Sequence, residues 1–289
     1  MEDVTRKLRA FFRNRLRAAP AQPLIVPRIG LALGGGFARG VAHVGVLRAF
    51  QREGIRLHCI AGVSSGAMVA AAFASGTSLD DIGRIGCDMR FTDVARWSLC
   101  RWGLAGSERM SKFLQRLLKK FQFEEMDIPL GVVATDLATG EPVLFRDTGD
   151  VCLPIRASCS YPGLFQPVRH GGNLLVDGAM SMEVPALLAR KMGATHVISV
   201  CLPMPGPGDL PRHMLHVVNR CFQILQKRTE ESWRAISDAV IMPQVSDTSW
   251  DGFQKGQHLI DEGEKAAMAI MPEVKRWMAG RTCPAASGL

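Results

Sequence analysis

The chain has 289 residues, of which 47% are hydrophobic and 21% charged, and its formal net charge at pH 7 is +8. This composition excludes a disordered chain and is sufficient for a large buried core. The eight cysteines form no Cys-x-x-Cys pair, so we predict neither a zinc site nor a compact disulfide framework. No apolar run approaches the ~18 residues of a membrane span, and we expect a soluble or peripheral protein of a reducing cytoplasm.

The positive charge is concentrated in two segments. Residues 1–20 carry six basic and two acidic side chains, and residues 96–120 carry seven basic and one acidic. Such patches suit an anionic membrane surface or a nucleic acid. The second partner is not expected, because the chain has one tyrosine, no zinc finger and no lysine-rich tail. We therefore predict contact with anionic lipid through 1–20 and 96–120, at the inner face of the cell membrane.

The N-terminal residues predict a basic amphipathic helix from Val4 to Leu16. It could lie on anionic lipid or pack against the body of the protein, and the pattern fits both. Prolines follow at 20, 23 and 27 and mark a linker. We assign 1–27 to this arm and linker.

A glycine-rich loop, Gly34 to Gly40, follows a predicted strand at Ile29–Leu33 and precedes a predicted helix. Its backbone N–H groups suit a phosphate or a developing oxyanion. A dinucleotide-binding fingerprint needs glycine where Arg39 or Phe37 stands, and a Walker A lysine is absent. No cofactor is therefore predicted.

The next strand leads into Gly62-Val63-Ser64-Ser65-Gly66, the pattern of a nucleophile elbow. A serine that protrudes from a tight strand-to-helix turn needs neighbours at minus two and plus two that are nearly free of side chain. Gly62 and Gly66 satisfy this requirement. Taken alone, the pattern fits an ordinary turn of small residues equally well.

The rest of the chain alternates strands and helices, which predicts an α/β fold: a three-layer α/β/α sandwich with a mainly parallel central sheet. Residues 28–245 are assigned to one catalytic domain and 246–289 to a helical cap packed on it. Residues 86–106 show no clean period and are interpreted as an insertion or flap. The other predicted elements are a helix from Met110 to Phe121, a strand pair at Leu130–Leu137 and Pro142–Phe145, a helix at Val151–Ser160, strands at Asn173–Val176, His196–Val200 and Ala239–Met242, and helices at about His213–Trp233 and Phe253–Met278.

Four motifs in this order resemble the patatin-like phospholipase family, and specifically its small bacterial members. They are the loop Gly34–Gly40, the elbow Gly62–Gly66, the run from Ser158 to Val168, and Asp177-Gly178-Ala179. The similarity runs from about Ile29 to Val245.

The resemblance implies a serine acyl hydrolase with a Ser/Asp dyad and no catalytic histidine. Ser64 would be the nucleophile, Asp177 its base, and the N–H groups of Gly35 and Gly36 the oxyanion hole. Asp177 would need partial desolvation to raise its pKa, since an ordinary carboxylate is a weak base. The supporting positions are Gly34, Arg39, Gly40, Gly62, Gly66 and Gly178, and no metal is implied.

Two alternatives stay open at this point. A Ser-Asp-His triad would need a histidine after Asp177, and His196, His213, His216 and His258 qualify by their order. The protein could instead be a catalytically idle scaffold that binds a lipid. The expected substrate is an acyl lipid such as a phospholipid or lysophospholipid. Its head group, its acyl position and the oligomeric state are not determined by the sequence.

Overall fold

The computed structural model of the chain describes residues 26–204, 214–249 and 251–279. The strands are β1 (Ile29–Leu33), β2 (Cys59–Gly62), β3 (Arg96–Cys100), β4 (Gly103–Gly106), β5 (Leu130–Asp136), β6 (Pro142–Arg146), β7 (Val168–His170), β8 (Asn173–Asp177), β9 (His196–Val200) and β10 (Ala239–Ile241). The α-helices are α1 (Ala42–Arg52), α2 (Ser65–Ala74), α3 (Leu79–Asp88), α4 (Phe91–Val94), α5 (Glu108–Leu117), α6 (Cys152–Ser158), α7 (Ala186–Lys191), α8 (Met214–Arg234) and α9 (Gly256–Met278). Short 3₁₀ segments lie at Phe37–Val41, Phe123–Glu125, Gly178–Met180 and Phe253–Lys255.

Eight strands form the central sheet in the order β10-β9-β1-β2-β5-β8-β7, with β6 paired to β5. The five strands from β10 to β5 are mutually parallel, while β6, β8 and β7 add antiparallel pairs. Strands β1, β2 and β5 are buried along their whole length, as expected for parallel strands covered on both faces. The predicted mainly parallel sheet is confirmed.

Helices cover both faces of this sheet. Because crossovers between parallel strands are right-handed, the connections β1-α1-β2 and β2-α2-β5 lie on one face, and the oppositely directed connection β9-α8-β10 lies on the other. Helix α7 contacts α8 and lies on that second face. Helix α9 returns to the first face and packs against α1. The two helices approach closely, since a Cβ on Gly263 would lie 2.0 Å from the carbonyl oxygen of Ala42. The three-layer α/β/α prediction is thereby confirmed.

Most element predictions agree with the structure, but three differ. The helix predicted from Met110 to Phe121 ends at Leu117, because Leu118 is extended and the N–H of Lys119 donates to the side chain of Ser75. The segment 86–106, interpreted as an insertion or flap, contains a short helix and the antiparallel β3–β4 hairpin. Strand β7 and helices α3 and α7 were not predicted.

Other predictions fall on residues that are not described. The amphipathic helix at Val4–Leu16 and His213 lie outside the described residues, and the proposed boundaries at 27 and 245 stay predictions. None of the helices within 26–204, 214–249 and 251–279 is both long and apolar enough to cross a membrane.

Strands β2 and β8 lie along the same edge of β5, because β6 occupies the other edge, and the two strands run toward each other. Strand β2 is parallel to β5 and ends with Gly62 opposite Val132, whereas β8 is antiparallel and ends with Asp177 opposite Ala134. Gly178 makes this approach possible, because a Cβ there would lie 2.1 Å from the carbonyl oxygen of Val133. The ends of β2 and β8 therefore meet at one point of the sheet.

Candidate active site

Ser64 occupies the turn between β2 and α2 with φ 53° and ψ −127°. A positive φ is unfavourable for a residue with a Cβ, and it is the strained conformation expected of a nucleophile elbow. The flanking glycines allow the turn to pack tightly. A Cβ on Gly62 would lie 2.5 Å from the Cα of Ala67, and one on Gly66 would lie 2.4 Å from the carbonyl oxygen of Leu33.

The side chains of Ser64 and Asp177 are in direct contact. The Ser64 hydroxyl donates a hydrogen bond of 2.9 Å to Oδ2 of Asp177, and both residues are buried. The other carboxylate oxygen, Oδ1, accepts the backbone N–H of Ala179 at 2.9 Å. The carboxylate is therefore fixed with one oxygen facing the serine.

Burial raises the pKa of Asp177 to about 7, against the opposing effect of the hydrogen bonds from Ala179 and Ser64. Low-dielectric surroundings disfavour the charged carboxylate, and its proton affinity is therefore higher. A base whose pKa lies near neutral pH accepts a proton far better than an ordinary aspartate. The desolvation expected for a basic Asp177 is thus present.

The glycine loop lies directly over Ser64. A Cβ on Gly35 would stand 3.3 Å from the Cβ of Ser64 and 3.9 Å from its hydroxyl oxygen. No residue in the described part of the chain accepts a hydrogen bond from the backbone N–H of Gly35 or Gly36. Ser64 also directly precedes α2, so the positive end of that helix dipole faces the site.

Two buried side chains hold the carbonyl groups of this loop. Nε2 of His43 donates to the carbonyl oxygen of Gly34 at 2.9 Å, and Nε of Arg39 donates to that of Gly36 at 3.3 Å. Since a trans peptide directs its C=O and the following N–H in opposite directions, His43 also fixes the direction of the Gly35 N–H. Arg39 additionally donates to the carbonyl oxygen of Pro203 at 3.1 Å.

The protonation states of these two side chains follow from their burial. Desolvation lowers the pKa of His43 to about 4, so at neutral pH the ring is uncharged and donates through Nε2. Desolvation also lowers the pKa of Arg39 to about 10, which leaves the guanidinium charged. Arg39 was predicted to support the loop, and its contacts are those of a loop support.

The remaining predicted glycines also permit close packing around the loop. A Cβ on Gly34 would lie 3.0 Å from the carbonyl oxygen of Val200, and one on Gly40 would lie 2.5 Å from the Cβ of Ser65. The sequence placed Gly34, Gly40, Gly62, Gly66 and Gly178 in supporting positions. In the structure Gly34 lies in the loop after β1, Gly62 ends β2, Gly66 lies in the first turn of α2, and Gly40 and Gly178 lie in 3₁₀ segments.

Two other nucleophilic side chains lie beside Ser64. The Ser65 hydroxyl is buried and has no hydrogen-bond partner among the described residues. Burial, together with the charge of Asp177, raises the pKa of the Cys159 thiol well above its ordinary value, which keeps it protonated. Only the Ser64 hydroxyl is paired with a basic group among these three.

An apolar pocket opens at Ser64, and a second apolar pocket adjoins it. The two pockets share the lining residues Phe37, Ser65, Met68, Met89 and Phe253. Methionine and phenylalanine side chains dominate the walls of the pocket at Ser64. Flexible thioethers and aromatic rings suit a long hydrocarbon chain better than a polar substrate.

The three candidate histidines within the described residues lie away from this pair. His196 opens β9 level with Ile29, whereas Gly62 before the elbow is level with Leu33, so His196 lies about 13 Å away along the sheet. His216 and His258 are exposed on α8 and α9, and neither lines the pocket at Ser64.

Two site residues were missed by the sequence analysis. Ser158 accepts the backbone N–H of Ser64 through its hydroxyl oxygen at 2.8 Å, and His43 orients the loop. Ser158 belongs to a recognised motif, but no role was predicted for it. His43 is one of four polar residues in the amphipathic helix α1, and the sequence contains no signal for its contact. Within the described ranges, no group of three or more His, Cys, Asp or Glu residues could hold a metal ion.

Comparison with known proteins identifies the family of this chain. The family model described as patatin-like phospholipase matches residues 31–190. An uncharacterized NTE family protein of Mycobacterium tuberculosis is 34% identical over 179 residues, covering 61% of this chain and 49% of the relative. Neuropathy target esterase of Drosophila melanogaster is 29% identical over 202 residues, covering 64% of this chain and 14% of the relative.

Among solved structures, VipD from Legionella pneumophila matches with a TM-score of 0.57 and 13% identity, covering 86% of this chain and 67% of that one. At this identity the match concerns the fold alone. The chain spans about half the length of the first curated relatives that it matches. Because the family model covers more than half of the chain and its motifs surround one serine–aspartate pair, the chain belongs to the patatin-like phospholipase family.

Proposed function

We propose that this protein is a serine acyl hydrolase that cleaves carboxylic ester bonds of phospholipids, lysophospholipids or related acyl lipids. The observation that carries the proposal is the 2.9 Å hydrogen bond from the Ser64 hydroxyl to a buried Asp177 whose pKa is raised to about 7. A serine hydroxyl is a poor nucleophile without a base, and this contact supplies one directly.

In the first half of the reaction, Asp177 accepts the hydroxyl proton while Ser64 Oγ attacks the acyl carbonyl carbon. The carbonyl oxygen becomes an oxyanion, and the N–H groups of Gly35 and Gly36 stabilise it. When the tetrahedral intermediate collapses, the protonated Asp177 gives its proton to the leaving alkoxide. The acyl group remains on Ser64 as an ester.

In the second half, a water molecule takes the place of the leaving group. Asp177 accepts one of its protons, the hydroxide adds to the acyl carbon, and the second intermediate releases the fatty acid. The proton returns from Asp177 to Ser64 Oγ, which regenerates the starting dyad.

The pocket at Ser64 supports an acyl lipid as substrate. Apart from Ser64 and Ser65, it is lined by apolar side chains. Burial of each methylene of the acyl chain contributes about 0.8 kcal/mol, which favours long chains over short ones. Anionic lipid is the favoured class because of the basic segments, of which 96–120 lies within the described residues and 1–20 does not.

The relatives point in the same direction. One carries the name neuropathy target esterase, and that name describes an ester-cleaving protein. The Ser-Asp-His alternative has less support, because the two hydrogen bonds of the Asp177 carboxylate go to Ser64 and Ala179.

A lipid hydrolysis panel tests the proposal. The full-length protein is incubated with phospholipids, lysophospholipids, monoacylglycerols and acyl thioesters, and the products are resolved by mass spectrometry with Ser64→Ala as the blank. We expect fatty acid release from at least one oxygen ester and none with the variant. Products from thioesters alone, or equal release by both proteins, would contradict the proposal. Binding of lipid without reaction of Ser64 would favour the idle scaffold.

A further inference from the structure

Two exposed apolar elements both contact residues 161–166, the loop between α6 and β7. The first is the β3–β4 hairpin, whose Trp97 and Trp102 are 62% and 45% exposed. The second is the first part of α8, where Met214 and Val217 are 60% and 50% exposed. Large apolar side chains clustered at the surface usually mark a contact site. We call these two elements together the interfacial rim.

The hairpin is joined to the pocket through aromatic contacts. The ring of Phe91 lies 5.2 Å from that of Trp97 and 5.8 Å from that of Phe165, and both phenylalanines line the pocket at Ser64. Strand β4 is also held to the loop, since the N–H of Ala105 donates to the carbonyl oxygen of Leu164. The exposed Trp97 therefore contacts a side chain, Phe91, that lines the pocket.

Helix α8 also contacts this loop. Tyr161 stacks on Phe222 with ring centroids 4.3 Å apart, and it contacts Phe37 of the glycine loop at 4.9 Å. A Cβ on Gly163 would lie 3.7 Å from Val218, so the loop lies directly against this part of α8. Both parts of the rim are thus anchored to residues 161–166, beside the mouth of the site.

The charges of the rim are almost all positive. Arg96 and Arg101 lie on the hairpin, and the Arg101 guanidinium stacks over the Trp102 ring at 4.9 Å. Residues 214–228 of α8 include three basic and no acidic side chains. Tryptophan and arginine side by side are typical of a lipid interface, where the indole lies at head-group depth and the cation meets lipid phosphate. A protein partner of ordinary composition would not need this one-sided charge.

We propose that the interfacial rim, with Trp97 and Trp102 of the hairpin and Met214 and Val217 of α8, docks the protein on an anionic phospholipid bilayer. In this orientation the pocket opens toward the lipid, and an acyl chain can enter without crossing water. The inference rests on the proposed function for its purpose, but the docking itself needs no hydrolysis.

Vesicle co-sedimentation of the full-length Ser64→Ala protein tests the docking without turnover. The vesicles contain phosphatidylcholine with or without phosphatidylglycerol. We expect binding to the anionic vesicles that weakens with added salt, since salt screens surface charge. In the same background, Trp97→Ser/Trp102→Ser and Met214→Ser/Val217→Ser should each weaken binding by about tenfold or more.

A matched control removes exposed apolar side chains elsewhere. Leu187 on α7 and Met278 at the end of α9 are 39% and 41% exposed. Helix α7 packs against Gly30 and Gly131 near the N-terminal ends of β1 and β5, whereas Ser64 follows the C-terminal end of β2. Leu187→Ser/Met278→Ser should bind within about twofold of the parent. Each variant is first checked for an unchanged melting temperature. Should a double variant fail to fold, Arg101→Glu provides a second test, and it should abolish the preference for anionic vesicles.

The inference is overturned if both rim variants bind like the parent, because the bilayer contact then lies elsewhere, for example in residues 1–20. It is also overturned if the parent ignores vesicles and forms a dimer that Met214→Ser/Val217→Ser dissociates. Intact vesicle binding by a protein that hydrolyses no lipid would refute the proposed function alone. Hydrolysis of dispersed lipid without vesicle binding would refute the docking alone.

Discussion

The backbone N–H of Ser64 donates a 2.8 Å hydrogen bond to the hydroxyl oxygen of Ser158, a residue 94 positions further along the chain. This contact ties the strained elbow to the end of α6, and both residues are buried. A positive φ at a serine persists only when its surroundings hold it. Ser158 therefore acts as a positioning residue for the nucleophile.

Replacement of Ser158 with alanine should release this constraint. The Ser64 N–H would be left buried and unpaired, which costs about 1–3 kcal/mol of stability, and we expect kcat to fall about tenfold or more with little change in KM. Steady-state ester hydrolysis with a soluble substrate measures both constants. Ser160→Ala is the matched control, because Ser160 is equally buried but its hydroxyl donates to the carbonyl oxygen of Arg156. Equal losses of kcat in both variants would contradict the role of Ser158.

His43 should act on the oxyanion hole through Gly34. His43→Leu removes the donor that holds the Gly34 carbonyl group, so the Gly35 N–H loses its fixed direction. One oxyanion donor contributes about 3 kcal/mol, and we expect kcat to fall by about tenfold to a hundredfold. His43→Gln can place an amide donor near the position of Nε2 and should recover part of the activity. If the leucine and glutamine variants are equally impaired, the effect comes from packing and not from the hydrogen bond.

The burial of Asp177 should make the protein less stable as the pH rises. The native carboxyl keeps its proton up to a pKa of about 7, whereas the unfolded one loses it near the ordinary value of 3.8. Native protein thus binds more protons between these values, and its free energy of unfolding falls as pH increases through that window. Asp177→Asn has no titratable group at this position and therefore lacks this pH dependence.

We therefore expect Asp177→Asn to be inactive, about as stable as the parent near pH 4, and more stable by roughly 2–4 kcal/mol at pH 8. Urea unfolding at several pH values measures the difference in the free energy of unfolding between the variant and the parent. The opposite pH effect of His43 is present in both proteins and cancels in that difference. Ser64→Ala keeps the carboxylate and should follow the parent. A difference that does not change with pH would show that the pKa of Asp177 is not raised.

Removal of the candidate histidines should leave catalysis intact. His196→Ala, His213→Ala, His216→Ala and His258→Ala are assayed singly for p-nitrophenyl ester hydrolysis. We expect each to retain activity within about threefold of the parent, while Ser64→Ala loses about a thousandfold or more. A loss at one histidine comparable to that at Ser64 would replace the dyad with a triad.

The sequence predicts the sheet well where burial decides the structure. Strands β1 and β9 have the predicted bounds, because each is a short, largely apolar run with a clear turn signal at one end. The β3–β4 hairpin shows no sustained alternation of apolar and polar residues, and its Trp97 and Trp102 are exposed. Helix α5 ends early because of a tertiary contact at Lys119, which no local pattern contains.

The site is predictable only in part, because its contacts also depend on the tertiary structure. The residue types at Ser64 and Asp177 and the glycines around them follow from steric and chemical requirements at each motif. Their contact depends on β2 and β8 meeting along one edge of β5, a pairing that joins residues 113 positions apart. The contributions of His43 and Ser158 depend on the same tertiary arrangement and could not be predicted from spacing.

Labelling with a fluorophosphonate probe tests the central claim most directly, because the probe reacts with a serine only when a base and an oxyanion hole activate it. Intact-protein mass spectrometry follows the rate, and peptide mapping locates the adduct. The dyad predicts one adduct at Ser64, a rate at least about a hundredfold lower for Asp177→Asn, and unchanged rates for the four histidine variants. An adduct at Ser65, no adduct at all, or an unchanged rate for Asp177→Asn would contradict the assignment of Ser64 and Asp177 as the catalytic pair.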